Sequence, residues 1–385
     1  MRNSTIDKEF EKVKGRSSSR MEKEFKKTKK KNGVVAKIFT TLFSLGTIGI
    51  IVVLFLLYGP YSGFREWLVT TAMTTMTHQY FATWFYDEET IAYVLEKNKI
   101  IEIDETTDVN AITTDKKEEK IEYANEYERA VLERDPENND YKIIEISEKK
   151  FDGYLVAVYE PSRVKTLVTA NIGKSGQYVT TMAKNNDALI AINGGGFDDP
   201  NFNSTGGSPL GITVRDGEYI TKKLYSGSGG VIGFTEEDKL VLGKMTVTQA
   251  KEMGIRDAVT FGPFLIVNGK ASEVLGNGGW GTAPRTAIAQ RQDGIVLFLV
   301  VDGRTATKPG ADMDDLIEIL QNYGAYNAAN LDGGTSSVLV VNNVIVNDPI
   351  DSTGAHKTRP IATGFMVTKD ESDDSDHKLV EEKIK

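Results

Sequence analysis

The sequence predicts an α+β domain built on a large, mostly antiparallel mixed sheet with a few helices, preceded by one transmembrane helix. Three observations carry that prediction. Residues 33–58 form an apolar run behind a basic leader. The second half gathers most of the 36 glycines around short apolar segments, a pattern of strands and turns. One amphipathic helix stands between two strand patterns near the end, so strands and helices do not alternate in the regular order of a parallel sheet.

The apolar run has one charge, Lys37, and its length of about 25 residues is enough to cross a bilayer. Residues 1–37 hold 13 Lys/Arg and 5 Asp/Glu, a net of +8, against −17 for the remainder of a chain whose total is −9. By the positive-inside rule the leader (1–33) is cytoplasmic, residues 34–58 contact the lipid bilayer, and the acidic remainder lies outside. A charged leader of more than 30 residues and a run longer than a usual signal core favour an uncleaved anchor over a signal peptide. The chain has no cysteine, which excludes disulfides and thiolate metal sites and fits a bacterial surface protein better than a secreted eukaryotic one. The three histidines, His78, His356 and His377, are scattered. The acidic ectodomain argues against nucleic acid as a partner.

Residues 59–140 read as a membrane-proximal helical region and linker. Phe64, Trp67, Leu68, Ala72, Met76, Tyr80, Phe81, Trp84 and Phe85 recur at roughly helical spacing. Such a helix either lies at the outer membrane interface or packs on the next domain, and residues 102–140 are charged and poorly patterned, as in a linker. Residues 141–368 form the main domain. Strands are expected at 154–159, 164–169, 188–192 and 295–301, with a short helix at 176–186. Ile212–Arg215 and residues 218–221 flank Asp216-Gly217, a hairpin signal, and Asn268-Gly269 marks another turn after Phe264–Val267. Met313, Leu316, Ile317, Leu320 and Tyr323 trace a helix with Asp312 as N-cap and Gly324 as stop. Strands at 327–331, 338–341, 344–347 and 361–367 close the domain. Residues 369–385 read as a disordered charged tail.

Four segments share one design, an apolar strand running into a polar, glycine-rich loop: Asn193-Gly194-Gly195-Gly196-Phe197-Asp198, Trp280-Gly281 through Pro284-Arg285-Thr286, Asp302-Gly303-Arg304, and Leu331-Asp332-Gly333-Gly334-Thr335-Ser336-Ser337. Glycines free backbone N–H groups for a ligand and permit positive φ. Asn193 can donate to and accept from a sugar or phosphate, and the Arg285 fork suits a phosphate. Trp280 either stacks on a sugar or anchors its loop. The fourth segment is similar to an anion-binding nest and is neither a Walker loop nor a nucleophile elbow.

With Phe261-Gly262-Pro263 and Arg359-Pro360, and in this order, these segments resemble the phosphodiester glycosidase family, the domain of the lysosomal uncovering enzyme and its bacterial, exopolysaccharide-related relatives. The similarity covers roughly residues 151–367. It implies cleavage between a sugar's anomeric carbon and a phosphodiester, without a required cofactor. Gly196 stands where the family often has an aromatic, and Thr335 and Ala289 where it often has glycine. On this reading Asp302 and Asp332 are the carboxylates, nucleophile or base, and Arg285 is catalytic with them. Arg304 and Arg359 clamp phosphate, and Asn193, Gly194, Gly195, Gly333, Gly334, Ser336 and Trp280 bind substrate. A divalent metal on the aspartates stays open. The competing classes are a non-catalytic glycan-phosphate-binding module and a wall-polymer transglycosylase.

Overall fold

The computed structural model describes residues 3–74, 79–114, 122–135, 138–199 and 204–369. His78, His377 and the expected disordered tail from 370 onward lie outside them. The chain divides into two units, Met1–Glu66 and Trp67–Lys385. The first is dominated by one helix, α1 (Asn3–Tyr58), so the basic leader continues without a break into the apolar run. Lys37–Tyr58, 22 residues with mean hydropathy 2.4, is long and apolar enough to cross a membrane. Its Phe39, Phe43, Leu45 and Ile51 side chains are exposed.

The second unit contains α2 from Trp67 on (Ser62–Thr74 in full), α3 (Tyr80–Thr83), α4 (Glu88–Lys97), α5 (Glu126–Leu132), α6 (Val179–Asn185), α7 (Val247–Glu252) and α8 (Met313–Asn322). Strands are numbered in chain order. The largest sheet runs β12 (Lys270–Ala271), β11 (Phe264–Val267), β16 (Ala325–Asn330), β14 (Arg285–Arg291), β15 (Val296–Val301), β3 (Asp152–Val158), β2 (Tyr141–Ser147). A second runs β7 (Glu218–Lys222), β6 (Ile212–Arg215), β10 (Ile255–Phe261), β8 (Gly230–Thr235), β9 (Leu240–Gly243). The third runs β18 (Val344–Ile345), β17 (Leu339–Val341), β5 (Ala188–Asn193), β19 (Thr363–Thr368), β4 (Val164–Val168), and β1 (Ile100–Ile101) pairs with β13 (Glu273–Val274). The pairings in all of these sheets are antiparallel.

The period of two explains the layering. In β15, Val296, Phe298 and Val300 enter one core, and Leu297, Leu299 and Val301 enter another. The first core is shared with Ile190 and Ile192 of β5, Phe365 of β19, and Ile232, Phe234 and Val259 of the second sheet. The second lies under Leu316 and Leu320 of α8. The outer faces of the other two sheets carry α6, through Val179 and Met182, and α7, through Ala250. Three antiparallel sheets therefore converge on one core, each with a helix outside. Apolar burial of this kind contributes about 25 cal/mol per Å².

The turns follow their residues. Asp216 and Gly217 both have positive φ (47° and 77°), as a two-residue hairpin demands. Asp312 caps α8 through a reciprocal capping box with Asp315, and Gly324 at φ 81° ends it. Residues 102–114 depart from expectation: they are no linker. Glu102 accepts from the Phe264 N–H at 2.7 Å, Thr107 exchanges hydrogen bonds with Leu242, and the Thr113 N–H donates to Gln292. α5 docks through the fully buried Val131. Polar side chains and backbone groups hold this segment, so an apolar pattern does not reveal it.

Candidate active site

Antiparallel register brings the quoted motifs to one end of the sheets. Arg285 opens β14 opposite Val301, one residue before Asp302, and Ala287 lies opposite Asn330, two before Asp332. Strands in a sheet are about 4.8 Å apart, so the backbones leading to Asp302 and Asp332 lie roughly 10 Å apart with Arg285 between them. The turn at 331–337 is the hub. Leu331 N–H donates to Thr286, Asp332 N–H to Gly194 (2.9 Å), and Gly334 N–H to Pro284.

Asp332 is half-buried and closely surrounded by protein. Burial pushes its carboxyl up to about 6, against the Ser336 hydroxyl, the Arg359 charge and the Gly333 N–H, which favour the ionised form, while the Asp199 charge raises it further. Asp199 is buried. Burial works to raise it, but hydrogen bonds from Arg359 and the Ser204 N–H outweigh that and hold it below the ordinary range. Arg359 pairs with Asp199 and stacks 4.7 Å from the Phe197 ring centre. The motif reading does not assign Asp199 a role. The adjacent Phe197-Asp198 is its only sequence signal, because its partner lies 160 positions away.

Arg285 is buried. Its Nε and Nη2 donate to the carbonyls of Ala311, Trp280 and Gly281. No carboxylate hydrogen-bonds it among the described residues, and burial lowers it to about 10, still protonated at neutral pH. Its Nη1 is turned to Gly333, where an added Cβ would stand 3.8 Å away. Arg304 donates to Thr335 and to the Ile350 carbonyl, both at 2.8 Å, and burial lowers its guanidinium too. Its Nη2 would lie 2.8 Å from a Cβ on Gly334. Two guanidinium edges thus border the glycines that follow Asp332.

The structure places four of the expected site residues, Asn193, Gly194, Gly195 and Asp302, as follows. Asn193 is fully buried. Its Nδ2 donates to the Asp332 carbonyl, and its Oδ1 accepts from Thr286 (2.7 Å) and the Val338 N–H (3.1 Å), so it positions the turn. Gly194 and Gly195 are buried as well, and their N–H groups bond Thr363. A Cβ on Gly194 would come 2.9 Å from the Gly364 backbone, and one on Gly195 2.8 Å from the Thr260 carbonyl. These glycines allow backbones to touch. Asp302 is tied to the turn through Asn347, whose Nδ2 donates both to the Asp302 carboxylate and to the Ser337 carbonyl. Alternation along β15 and β14 puts it on the face opposite Arg285, where Asn347 Nδ2 (2.8 Å) and the Asp348 N–H (3.0 Å) occupy its oxygens. Burial raises its carboxyl.

Trp280 is half-buried, its ring centre 6.2 Å from that of Phe261 in an edge-on arrangement and 5.9 Å from the Arg285 guanidinium. Phe261 also fills the space beside Gly196, 2.7 Å from a Cβ there. Among the described residues no three His, Asp or Glu side chains are grouped to hold a metal ion.

Residues 186–368 match the family model described as phosphodiester glycosidase. The SPbeta prophage-derived uncharacterized protein YomE of Bacillus subtilis is 28% identical over 182 residues, 45% of this chain and 27% of that protein. N-acetylglucosamine-1-phosphodiester alpha-N-acetylglucosaminidase of Mus musculus is 24% identical over 225 residues, 52% of this chain and 41% of that protein. The chain thus spans less than half the length of these curated relatives. The solved zebrafish catalytic domain of that enzyme, auto-inhibited by its pro-peptide, aligns with TM-score 0.50 at 23% identity over 60% of this chain and 83% of that one, a likeness of fold.

Proposed function

Since residues 186–368 match the phosphodiester glycosidase family model, we propose that this protein is a membrane-anchored hydrolase of the bond between a sugar's anomeric carbon and a phosphodiester, working outside the cell on surface or exopolysaccharide material. Lys37–Tyr58 is the span, and the basic leader stays inside by the positive-inside rule. The observation that carries the reading is Asp332: a carboxyl raised to about 6, beside an ionised Asp199 and the Arg359 charge, and followed by glycines that the Arg285 and Arg304 guanidinium groups border.

The phosphate enters against Arg285 Nη1 and Arg304 Nη2, with Arg359 beyond Asp332. Cations turned to an open glycine turn favour a ligand that brings negative charge. The bond from anomeric carbon to phosphate oxygen breaks, and its electron pair leaves with the phosphomonoester. Phosphate is a good leaving group, and cations and N–H donors carry its growing charge. Asp332, ionised, supplies electron density to the oxocarbenium-like centre, directly or by taking a proton from the attacking water. Water's oxygen ends on the free sugar. Ser336 and Asp199 set the charge of Asp332, and Asp302 fixes the 347–348 segment beside the turn.

The test incubates the full-length protein in detergent with an N-acetylglucosamine-1-phosphodiester and measures reducing sugar and phosphomonoester, with and without an added alcohol acceptor. Equal release of both products supports the hydrolase. Saturable binding without release identifies a binding module, and transfer to the alcohol in preference to water a transglycosylase; either overturns the proposal.

A further inference from the structure

Residues 67–86 contain no Asp, Glu, Lys or Arg, in a chain that is 26% charged. Part of this stretch is packed inward: Val69, Thr70 and Ala82 are fully buried, and Thr70 Oγ1 accepts from Asn277 Nδ2 of the main domain at 2.8 Å. Another part presents rings. Trp84 is 70% exposed, Trp67 50%, and Phe81, Phe85 and Tyr80 remain substantially accessible. Tyr80, Phe81 and Trp84 touch one another, with centroids 4.4 to 6.3 Å apart, so they form one raised cluster. Isolated exposed rings need no explanation, but a contiguous uncharged group of them does.

The geometry points to a membrane-interface foot: these rings enter the headgroup and upper acyl region of the bilayer that holds the apolar helix. The occupant follows from the chain. The apolar run ends at Tyr58 and residues 59–66 lead to Trp67. Eight residues reach at most about 30 Å, so Trp67, where the uncharged stretch begins, stays within a bilayer thickness of the point where the run ends. Trp, Tyr and Phe without formal charge are the side chains that partition to that depth. The buried side bears on chemistry as well. Asn277, bonded to Thr70, also donates its N–H to Asn98 and belongs to the loop whose Trp280 and Gly281 carbonyls hold Arg285. The foot therefore presents the Arg285 loop to substrates at the membrane surface. This inference rests on reading Lys37–Tyr58 as a span.

The chain has no cysteine, so single labels report position directly. Trp84→Cys and Leu224→Cys, the latter at a 99% exposed site, are each labelled with a nitroxide in the full-length protein, one chain per phosphatidylcholine–phosphatidylglycerol nanodisc. Phe81→Cys repeats the measurement at a neighbouring ring. Accessibility is measured to oxygen, which concentrates in lipid, and to a water-soluble nickel chelate. The Trp84 and Phe81 labels are expected to favour oxygen over nickel severalfold relative to Leu224. Equal nickel access at Trp84 and Leu224 overturns the inference. So does dipolar broadening in discs holding two chains together with nickel access in single-chain discs, which identifies a second copy as the occupant. Alkaline washing of membranes reports the anchor separately. Release removes both the span and the foot; retention with a water-exposed Trp84 label removes only the foot.

Discussion

Two glycine-rich loops that look alike as letters do opposite things. Asn193-Gly194-Gly195 and Asp332-Gly333-Gly334 each follow an apolar strand. In the first, every residue is buried and the glycines exist because Gly364 and Thr260 backbones pass within 3 Å of where a Cβ would be. In the second, the residues are partly open, Gly334 takes φ 62°, and the neighbours are the ends of flexible arginines. Glycine after a strand therefore has two physical causes, close approach of backbones and a left-handed open turn. Only the second makes room for a ligand. Asn193 ties the two loops together.

The largest expected effect is at the open loop. Asp332→Asn should lower kcat about a thousandfold, or roughly 4 kcal/mol, in the sugar-release assay. Its folded stability should not suffer. A carboxyl raised in the folded state costs stability while ionised, above about pH 6, and the cost is relieved as pH falls through that value. The thermal midpoint of Asp332→Asn at pH 7.5 should thus be no lower than that of the parent. The closed loop should behave in reverse. Gly195→Ala forces a methyl against the Thr260 carbonyl and should cost about 2–3 kcal/mol in denaturant unfolding, with turnover per folded molecule retained. Arg285→Lys keeps a charge and loses the fork. KM for the phosphodiester should rise about 10- to 30-fold, roughly 2 kcal/mol, with a smaller fall in kcat. Asp302→Asn should change kcat less than about tenfold, or 1.4 kcal/mol. A loss at Asp302 equal to that at Asp332 would restore the paired-aspartate arrangement and break the comparison.

The sequence makes some of this legible and hides the rest for identifiable reasons. The Asp216-Gly217 hairpin, the capped α8 and the apolar β15 each announce themselves locally. β8, β9 and β10 do not, because buried strands show no alternation and β10 carries Arg256-Asp257, which looks like surface. In the fold Asp257 accepts from the Thr166 N–H (2.8 Å) and Arg256 reaches Asp238 and the Val164 carbonyl, so both charges are internal. The site divides the same way. Asp332, Arg285, Arg304 and Arg359 are conspicuous in their motifs. The separation of Asp302 from Arg285 needs the register of β14 and β15, and Asp199 gains meaning only through Arg359.

The central claim is that the Asp332 carboxylate, ionising near pH 6 inside the turn at 331–337, drives the reaction. The pH dependence of kcat/KM for the full-length protein on a sugar-1-phosphodiester tests it most directly. The account predicts activity that rises as pH increases through about 6 and then levels, a limb that is absent from the residual activity of Asp332→Asn. A profile that keeps the same limb and the same rate after Asp332→Asn would contradict it.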